Sequence, residues 1–151
     1  MLINLSNHPL PKWESGQRAA AEGYFGAIED IAFPQIGPDA SLEDVRLIAK
    51  EYAEKCGDML AKAASHKPHA VHLMGEFTFT YQFLKQMESL GIPCVASTTE
   101  RIVTEDPEDP TKKTTLFRFI QFRPYFTPTA IYNPSRQKTA GCKKRTFHNR
   151  T

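Results

Sequence analysis

The chain has 151 residues and a mass of 17.1 kDa, which fits one domain and excludes a multidomain protein. With 40% hydrophobic and 24% charged residues, it can bury a sizeable core and is not compositionally disordered. The formal net charge is +2, but residues 134–151 hold six cations and no carboxylate, and subtracting these six leaves −4 on the rest. A mildly acidic body does not resemble a general nucleic-acid binder.

Short apolar runs alternate with amphipathic stretches along the chain. Ser41 with Asp44 three residues later forms a capping box at the start of the longest amphipathic stretch. In chain order, the pattern predicts a strand over residues 2–5, a helix over 13–24, a strand over 27–33, a helix over 42–63, a strand over 70–74, a helix closed by Gly91, a strand over 92–96, and a hairpin with strands over 102–105 and 114–122.

This order indicates a doubly wound α/β domain, because parallel neighbouring strands need helical crossovers. We predict a three-layer Rossmann-like or flavodoxin-like sandwich with a mostly parallel sheet and a C-terminal antiparallel hairpin. Glu29 and Asp30 make the second strand polar, so we place it at the edge in strand order 2-1-3-4, with a topological switch point between strands one and three. The domain is expected over residues 1–125, followed by a basic, disordered tail over 126–151.

Ligands of open α/β sheets bind at the carboxyl ends of the strands, so the residues that follow the strands are the candidate site. These residues are polar, glycine or aromatic after three strands, which suggests a polar, anionic ligand. The predicted ligand-binding residues are Ser6, Asn7 and His8, then Gly75, Glu76, Phe77, Thr78 and Thr80, and finally Ser97, Thr98, Thr99, Glu100 and Arg101.

Each residue type has a role that suits a phosphorylated ligand. Gly75 would let the backbone approach the ligand, Thr78 and Thr80 lie where a helix N-terminus can hold a phosphate, and Arg101 could bind a phosphate with two hydrogen bonds. Phe77 and Phe79 could stack on a base.

Structural roles remain open for the same residues. Thr78 is also an ordinary N-cap, and the two phenylalanines also suit a core. Arg101 could pair with Glu76 or Glu100, and His72, within an apolar strand, is expected to be a core histidine with its hydrogen bonds satisfied.

Several familiar sites are missing from the sequence. It has no GxGxxG, GxxxxGK[ST], GxSxG, HExxH or CxxC motif, so we predict neither a metal nor a cofactor. No run of about 18 apolar residues occurs and residues 1–10 lack the pattern of a signal peptide, so a cytoplasmic protein is expected.

The segments at residues 74–81 and 96–101, together with the opening residues 2–9, resemble small stand-alone CRISPR-associated proteins similar to CARF domains. The resemblance implies a Rossmann-like homodimer that binds a cyclic oligoadenylate second messenger over the carboxyl ends of the strands. It also implies that some relatives cleave the ring without a metal, a reaction in which a ribose 2′-OH attacks the neighbouring phosphate. Arg101 and Ser97 would then stabilise charge, and His8 would assist proton transfer.

Two other functions fit the same residues. A nucleoside- or sugar-phosphate-processing enzyme would use the same anion-binding segments. An RNA-binding accessory would instead use the cations of the tail, and its RNA retention would depend steeply on salt.

Overall fold

A computed structural model of the chain describes residues 1–105 and 113–127. Residues 128–151 of the predicted tail lie outside this part of the chain. The elements are β1 (Leu2–Ser6), a short 3-10 helix (Leu10–Lys12), α1 (Ser15–Phe25), β2 (Ile28–Ala32), α2 (Leu42–Lys62), β3 (Ala70–Met74), α3 (Phe77–Ser89), β4 (Cys94–Glu105) and β5 (Lys113–Pro124).

The strands form one sheet in the order β2-β1-β3-β4-β5. The pairs β1–β2, β1–β3 and β3–β4 are parallel, and β4 pairs with β5 in antiparallel orientation. The predicted fold class, the order 2-1-3-4 and the C-terminal hairpin are therefore confirmed. The central strand β1 is buried along its length, whereas the edge strand β2 exposes Glu29 and Asp30.

Side chains alternate between the two faces of a strand, so each face of the sheet has its own apolar cluster. On one face, α2 and α3 cover a cluster that includes Ile3, Leu5, Val71, Leu73, Phe79 and Phe83. On the other face, α1 covers a smaller cluster that includes Leu2, Trp13, Ala21, Ala70 and Val95. The result is the predicted three-layer arrangement.

Local signals set the helix ends. The Asp44 N–H donates to Ser41 Oγ at 3.2 Å and the Ser41 N–H donates to Asp44 Oδ2 at 2.9 Å, which is the predicted capping box. Gly91 follows α3 with a φ of 68°, a left-handed conformation that glycine adopts without strain. The helix predicted over 13–24 begins later, at Ser15, because the 3-10 helix comes first.

The segment predicted as a loop over residues 97–101 is instead part of β4. This strand pairs with β3 only through Cys94 and Val95, but its pairing with β5 continues from Val95 to Glu105. The strands predicted over 92–96 and 102–105 are thus one strand. The segment is polar, but it contains neither glycine nor proline, and its threonines favour an extended backbone.

The chain folds back onto the sheet after β5. The Tyr125 N–H donates to the Cys94 carbonyl at 3.0 Å, and the Tyr125 hydroxyl donates to the Leu73 carbonyl at 2.8 Å. Phe126, one residue beyond the predicted domain boundary, packs against the cluster under α2 and α3. Among the residues described, no helix is both long enough and apolar enough to cross a membrane.

Candidate functional site

The loops that follow β1 and β3 lie side by side at the carboxyl edge of the sheet. The Asn7 N–H donates to the Met74 carbonyl at 3.1 Å, which joins the end of β1 to the end of β3. The chain leaves β1 toward α1 on one face and leaves β3 toward α3 on the other face. This edge is therefore the topological switch point at which doubly wound sheets bind ligands.

A buried hydrogen-bond network lies beneath this edge on the α1 face. His72 Nδ1 is 2.7 Å from Asn4 Oδ1, and His72 Nε2 is 2.8 Å from Ser97 Oγ. Gln17 Nε2 donates to Ser97 Oγ at 2.9 Å, and Ser6 Oγ donates to Asn4 Oδ1 at 2.8 Å. Three neighbouring strands and α1 are thus joined through side chains, and Asn4 and His72 are each only 1% exposed.

The partners of the His72 ring determine its tautomer. Asn4 Nδ2 donates to Asp30 Oδ1 at 2.7 Å and to the His8 carbonyl at 2.9 Å, so Asn4 Oδ1 acts as an acceptor. His72 Nδ1 therefore carries the proton, and Nε2 accepts a hydrogen bond from the Ser97 hydroxyl. Every polar atom of the ring is paired, as expected for a core histidine.

Burial, together with a smaller effect of the nearby charge of His8, lowers the pKa of His72 to about 4. The ring is neutral at pH 7, which agrees with its hydrogen bonds. Its faces and edges are also enclosed, because the Trp13 ring lies 5.1 Å away and the Phe122 ring 5.6 Å away between centroids.

Ser97, His72 and Asn4 are residue types that could form a nucleophile, a base and an orienting group. Two observations argue against that use. The Ser97 oxygen already accepts a hydrogen bond from Gln17, and an imidazole with a pKa of about 4 is a weak base at neutral pH. The network instead holds the strands together below the carboxyl edge.

The loop after β1 is fixed by its main chain and leaves its side chains free. The His8 carbonyl accepts hydrogen bonds from Asn4 Nδ2 at 2.9 Å, from Trp13 Nε1 at 2.9 Å and from Ser6 Oγ at 3.1 Å. The side chains of Asn7 and His8 are exposed and form no hydrogen bond with any other described residue. Donors and acceptors on a rigid backbone are therefore available for a ligand.

A pocket of about 380 Å³ opens beside this loop, between the carboxyl ends of β1 and β2. Its volume is in the range of small-ligand sites. The Asp30 carboxylate is at its wall and accepts hydrogen bonds from the Leu10 N–H and from Asn4. The lining residues are Ser6, Asn7, Pro9, Asp30, Ile31, Ala32 and Phe33.

The N-terminus of α3, predicted to hold a phosphate, is occupied by a side chain of the protein. Glu76 accepts hydrogen bonds from the Thr78 N–H at 2.9 Å and from the Phe79 N–H at 2.7 Å, and the Thr78 hydroxyl donates to the same carboxylate. These backbone hydrogen bonds lower the pKa of Glu76. Glu76 thus acts as an N-cap, and a phosphate would have to displace it.

Gly75 is required by packing rather than by the approach of a ligand. A Cβ at this position would overlap the Phe33 ring, which contacts Phe79 edge-on at 5.1 Å between centroids. Phe79 is fully buried and cannot stack on a base, whereas Phe77 is 87% exposed. Thr80 is also buried, and its hydroxyl has no hydrogen-bond partner among the described residues.

The third predicted segment is divided between the core and an exposed hairpin. Ser97 belongs to the buried network, and Thr98 donates to the Gln121 carbonyl across the hairpin at 3.2 Å. Glu100 pairs with Arg118, while Thr99 and Arg101 are exposed and Arg101 forms no ion pair with another described residue. Four residues of strand put Arg101 roughly 13 Å along the hairpin from Ser97.

The sequence-based prediction did not identify the hydrogen-bond network that lies beneath the carboxyl edge of the sheet. The sequence analysis singles out neither Asn4 nor Gln17 and marks Asp30 only as a residue of an edge strand, whereas His72 is predicted, correctly, as a core histidine with its hydrogen bonds satisfied. One signal was available: each of the two central strands has a polar residue flanked on both sides by apolar ones, Asn4 in β1 and His72 in β3. Such residues need partners, and the register places Asn4 opposite His72.

A protein-family model described as the uncharacterized protein MJ1673 family matches residues 1–123, so the chain belongs to this family. The match covers every strand and helix described above except the end of β5. No curated protein and no solved structure shows significant similarity to the chain.

Proposed function

We propose that this member of the MJ1673 family binds a cyclic oligoadenylate at the carboxyl edge of its sheet, as a sensor or sponge in a CRISPR-associated response. The observation that carries the proposal is the switch point between β1 and β3. The free Asn7 and His8 side chains lie there, on the loop after β1, and a pocket of about 380 Å³ opens beside the same loop, between β1 and β2.

The chemistry of the edge suits a nucleotide. The Asn7 amide and the His8 imidazole can donate hydrogen bonds to phosphate oxygens, and the Asp30 carboxylate can accept a hydrogen bond from a ribose hydroxyl. Apolar walls at Ile31 and Phe33 offer contact surface for a base. The choice of a cyclic oligoadenylate among nucleotides rests on the resemblance of the strand-end segments to CARF-like proteins.

Binding is better supported than cleavage. In cleavage, the ribose 2′-oxygen bonds to phosphorus, the 5′-oxygen leaves, and the proton of the 2′-OH passes through a base to the leaving oxygen. Of the predicted catalytic residues, Ser97 is held by His72 and Gln17, and Arg101 lies out on the hairpin. Only His8 is free beside the pocket, so we propose binding without efficient cleavage.

Calorimetric titration of the full chain with cyclic tetraadenylate and cyclic hexaadenylate tests the proposal, with linear tetraadenylate and AMP as comparison ligands. We expect one of the rings to bind more tightly than the linear forms. Asn7→Ala and His8→Ala should each weaken binding about tenfold, which corresponds to about 1.4 kcal/mol.

Arg46→Ala is the matched control, because Arg46 is an exposed cation on α2 that pairs with Glu43. It should leave the affinity unchanged. Chromatography of the incubated ring will show whether linear products form. Failure of both rings to bind would refute the proposal. Rapid cleavage that His8→Ala abolishes would show that the protein is a ring nuclease rather than a sensor.

A further inference from the structure

A second pocket, of about 310 Å³, lies at the opposite end of the sheet from the switch point. Its walls include Phe25 at the end of α1, Ala70 at the start of β3 and Pro124 at the end of β5. The length of β3 separates this amino edge from the carboxyl edge by roughly 13 Å. Ala70 and Val95 belong to the apolar cluster under α1, so the pocket lies on the α1 face of the sheet.

Aromatic and apolar side chains form most of the wall. Phe25 and Phe122, both half-buried, meet edge to face with 6.0 Å between ring centroids, and the ring of the exposed Tyr24 lies 6.2 Å from that of Phe25. Three prolines also line the pocket: Pro68, Pro93 and Pro124. No lining residue is an Asp, Glu, Lys or Arg. A charged ligand would lose water here without gaining a charged partner, so the walls favour an uncharged ligand with aromatic surface.

The one histidine that lines the pocket, His69, is only 5% exposed. Its Nδ1 atom lies 3.1 Å from the nitrogen of Met1, which also donates a hydrogen bond to the Pro68 carbonyl at 2.9 Å. The Met1 nitrogen has hydrogens to donate, so Nδ1 is the acceptor. Burial lowers the pKa of His69, so the ring is neutral at pH 7 and its single proton is on Nε2.

The Nε2–H group of His69 is a donor without an acceptor. It forms no hydrogen bond with any described residue. In the part of the chain that the structure describes, the Thr80 hydroxyl is the one side-chain polar atom that is both fully enclosed and unpaired, so His69 Nε2 keeps some accessible surface. Polar groups this deeply buried are nearly always paired. An unpaired donor on a residue that lines a pocket therefore indicates where the acceptor of a ligand would lie.

We propose that this pocket binds an uncharged aromatic molecule with one hydrogen-bond acceptor, which receives the Nε2–H of His69 while its ring packs against Phe25 and Phe122. The volume of the pocket is in the range of small-molecule sites. The proposal does not depend on the proposed cyclic oligoadenylate, which is a polyanion and would bind at the other edge of the sheet.

Two probes with the same carbon skeleton test the proposal. Acetophenone has a carbonyl acceptor, whereas 1-phenylethylammonium has a cation and no acceptor. In amide NMR of the isotope-labelled full chain, acetophenone should bind with a Kd of about 1 mM, as expected for so small a ligand, and should shift the amides of Ala70, Val95 and Phe122. The ammonium compound should bind at least about ten times more weakly. The amides of Asn7 and Ile31, beside the other pocket, should not move.

His69→Phe tests the donor, because phenylalanine keeps an aromatic ring but has no N–H. The variant should bind acetophenone about fivefold more weakly than the wild type does. Toluene, which has no acceptor, should bind both proteins equally. A loss confined to acetophenone assigns the hydrogen bond to His69 Nε2.

Tyr24→Ala is a second variant, needed because His69→Phe also removes the acceptor of the Met1 nitrogen. Tyr24 is 68% exposed, so its removal should leave the fold intact while it weakens acetophenone and toluene alike, about threefold. Tyr81→Ala is the matched control, since Tyr81 is 60% exposed on α3. It should leave both affinities unchanged.

Three outcomes would overturn the proposal: no binding of acetophenone at this pocket, equal binding of the ammonium compound, or equal losses for acetophenone and toluene in His69→Phe. Titration of the wild type with the cyclic oligoadenylates keeps the two proposals separate. A protein that binds acetophenone here but neither ring supports this pocket and refutes the proposed function. The reverse result refutes the pocket alone.

Discussion

Asn4 and His72 lie directly opposite each other on the neighbouring parallel strands β1 and β3, and their side chains are joined at 2.7 Å. Through this contact, a carboxylate at the pocket wall, Asp30, is connected to Ser97 on the next strand. The contact is buried, so breaking it leaves polar atoms without water as an alternative partner.

The stability of the protein should fall as pH decreases from about 6.5 to about 4, because the pKa of the buried His72 is lowered to about 4. The unfolded chain binds a proton in this window while the folded chain does not, so stability is greatest above 6.5 and is lost toward 4. The loss attributable to His72 is about 2 to 3 kcal/mol. Urea unfolding at several pH values measures it.

His72→Gln is the control for this prediction. It removes the titrating group, so the variant should lose less stability than the wild type across the same window. Equal pH dependence in the two proteins would show that another group, such as His69, whose pKa burial also lowers, causes the effect.

Asn4→Ala should destabilise the fold by about 3 kcal/mol, because the His72 Nδ1–H loses its acceptor in a buried environment and the Ser6 hydroxyl keeps only its longer hydrogen bond to the His8 carbonyl. Asn7→Ala, three residues later and exposed, should change stability by less than about 0.5 kcal/mol. Chemical denaturation of both variants distinguishes a structural asparagine from one available to a ligand. Similar losses of stability in the two variants would contradict the assignment of Asn4 to the buried network and of Asn7 to the candidate site.

Glu76→Ala should destabilise the protein by about 1 kcal/mol through loss of the α3 N-cap. The same substitution frees the Thr78 and Phe79 N–H groups that the carboxylate occupies. Glu88→Ala, in the last turn of α3, should have no destabilising effect, because a carboxylate there opposes the helix dipole. Thermal melts compare the two variants, and an equal loss of stability in both would contradict the role of Glu76 as the N-cap of α3.

Gly75→Ala should destabilise the protein by about 1 to 3 kcal/mol, because the new methyl group must push the Phe33 ring away from Phe79. Gly23→Ala is the matched control within α1, where a Cβ meets no other atom within 4 Å. It should raise the melting temperature, since alanine has a higher helix propensity than glycine. A harmless Gly75→Ala would mean that the ring can move freely.

The predicted topology accounts for which strand ends lie side by side at the carboxyl edge. Asn7 and Gly75 come to one edge because parallel strands end together. Residue type alone did not show which polar side chains have partners within the protein: Glu76 and Thr78 form a hydrogen bond in an N-cap, and Ser97 forms one with His72. A polar side chain in a sequence does not reveal whether the protein or a ligand supplies its partner.

The alternation of apolar strands with amphipathic helices determined, from the sequence, that this chain is a doubly wound α/β domain with β2 at its edge. The apolar residues that are buried recur in the sequence at the period of a helix or a strand, so the local sequence pattern is enough to predict these elements. The continuity of β4 through residues 97–101 and the pairing of Asn4, His72, Ser97 and Gln17 depend on contacts between distant segments. Only the tertiary structure decided these, because hydrogen-bond partners are chosen by register and packing rather than by neighbouring residues.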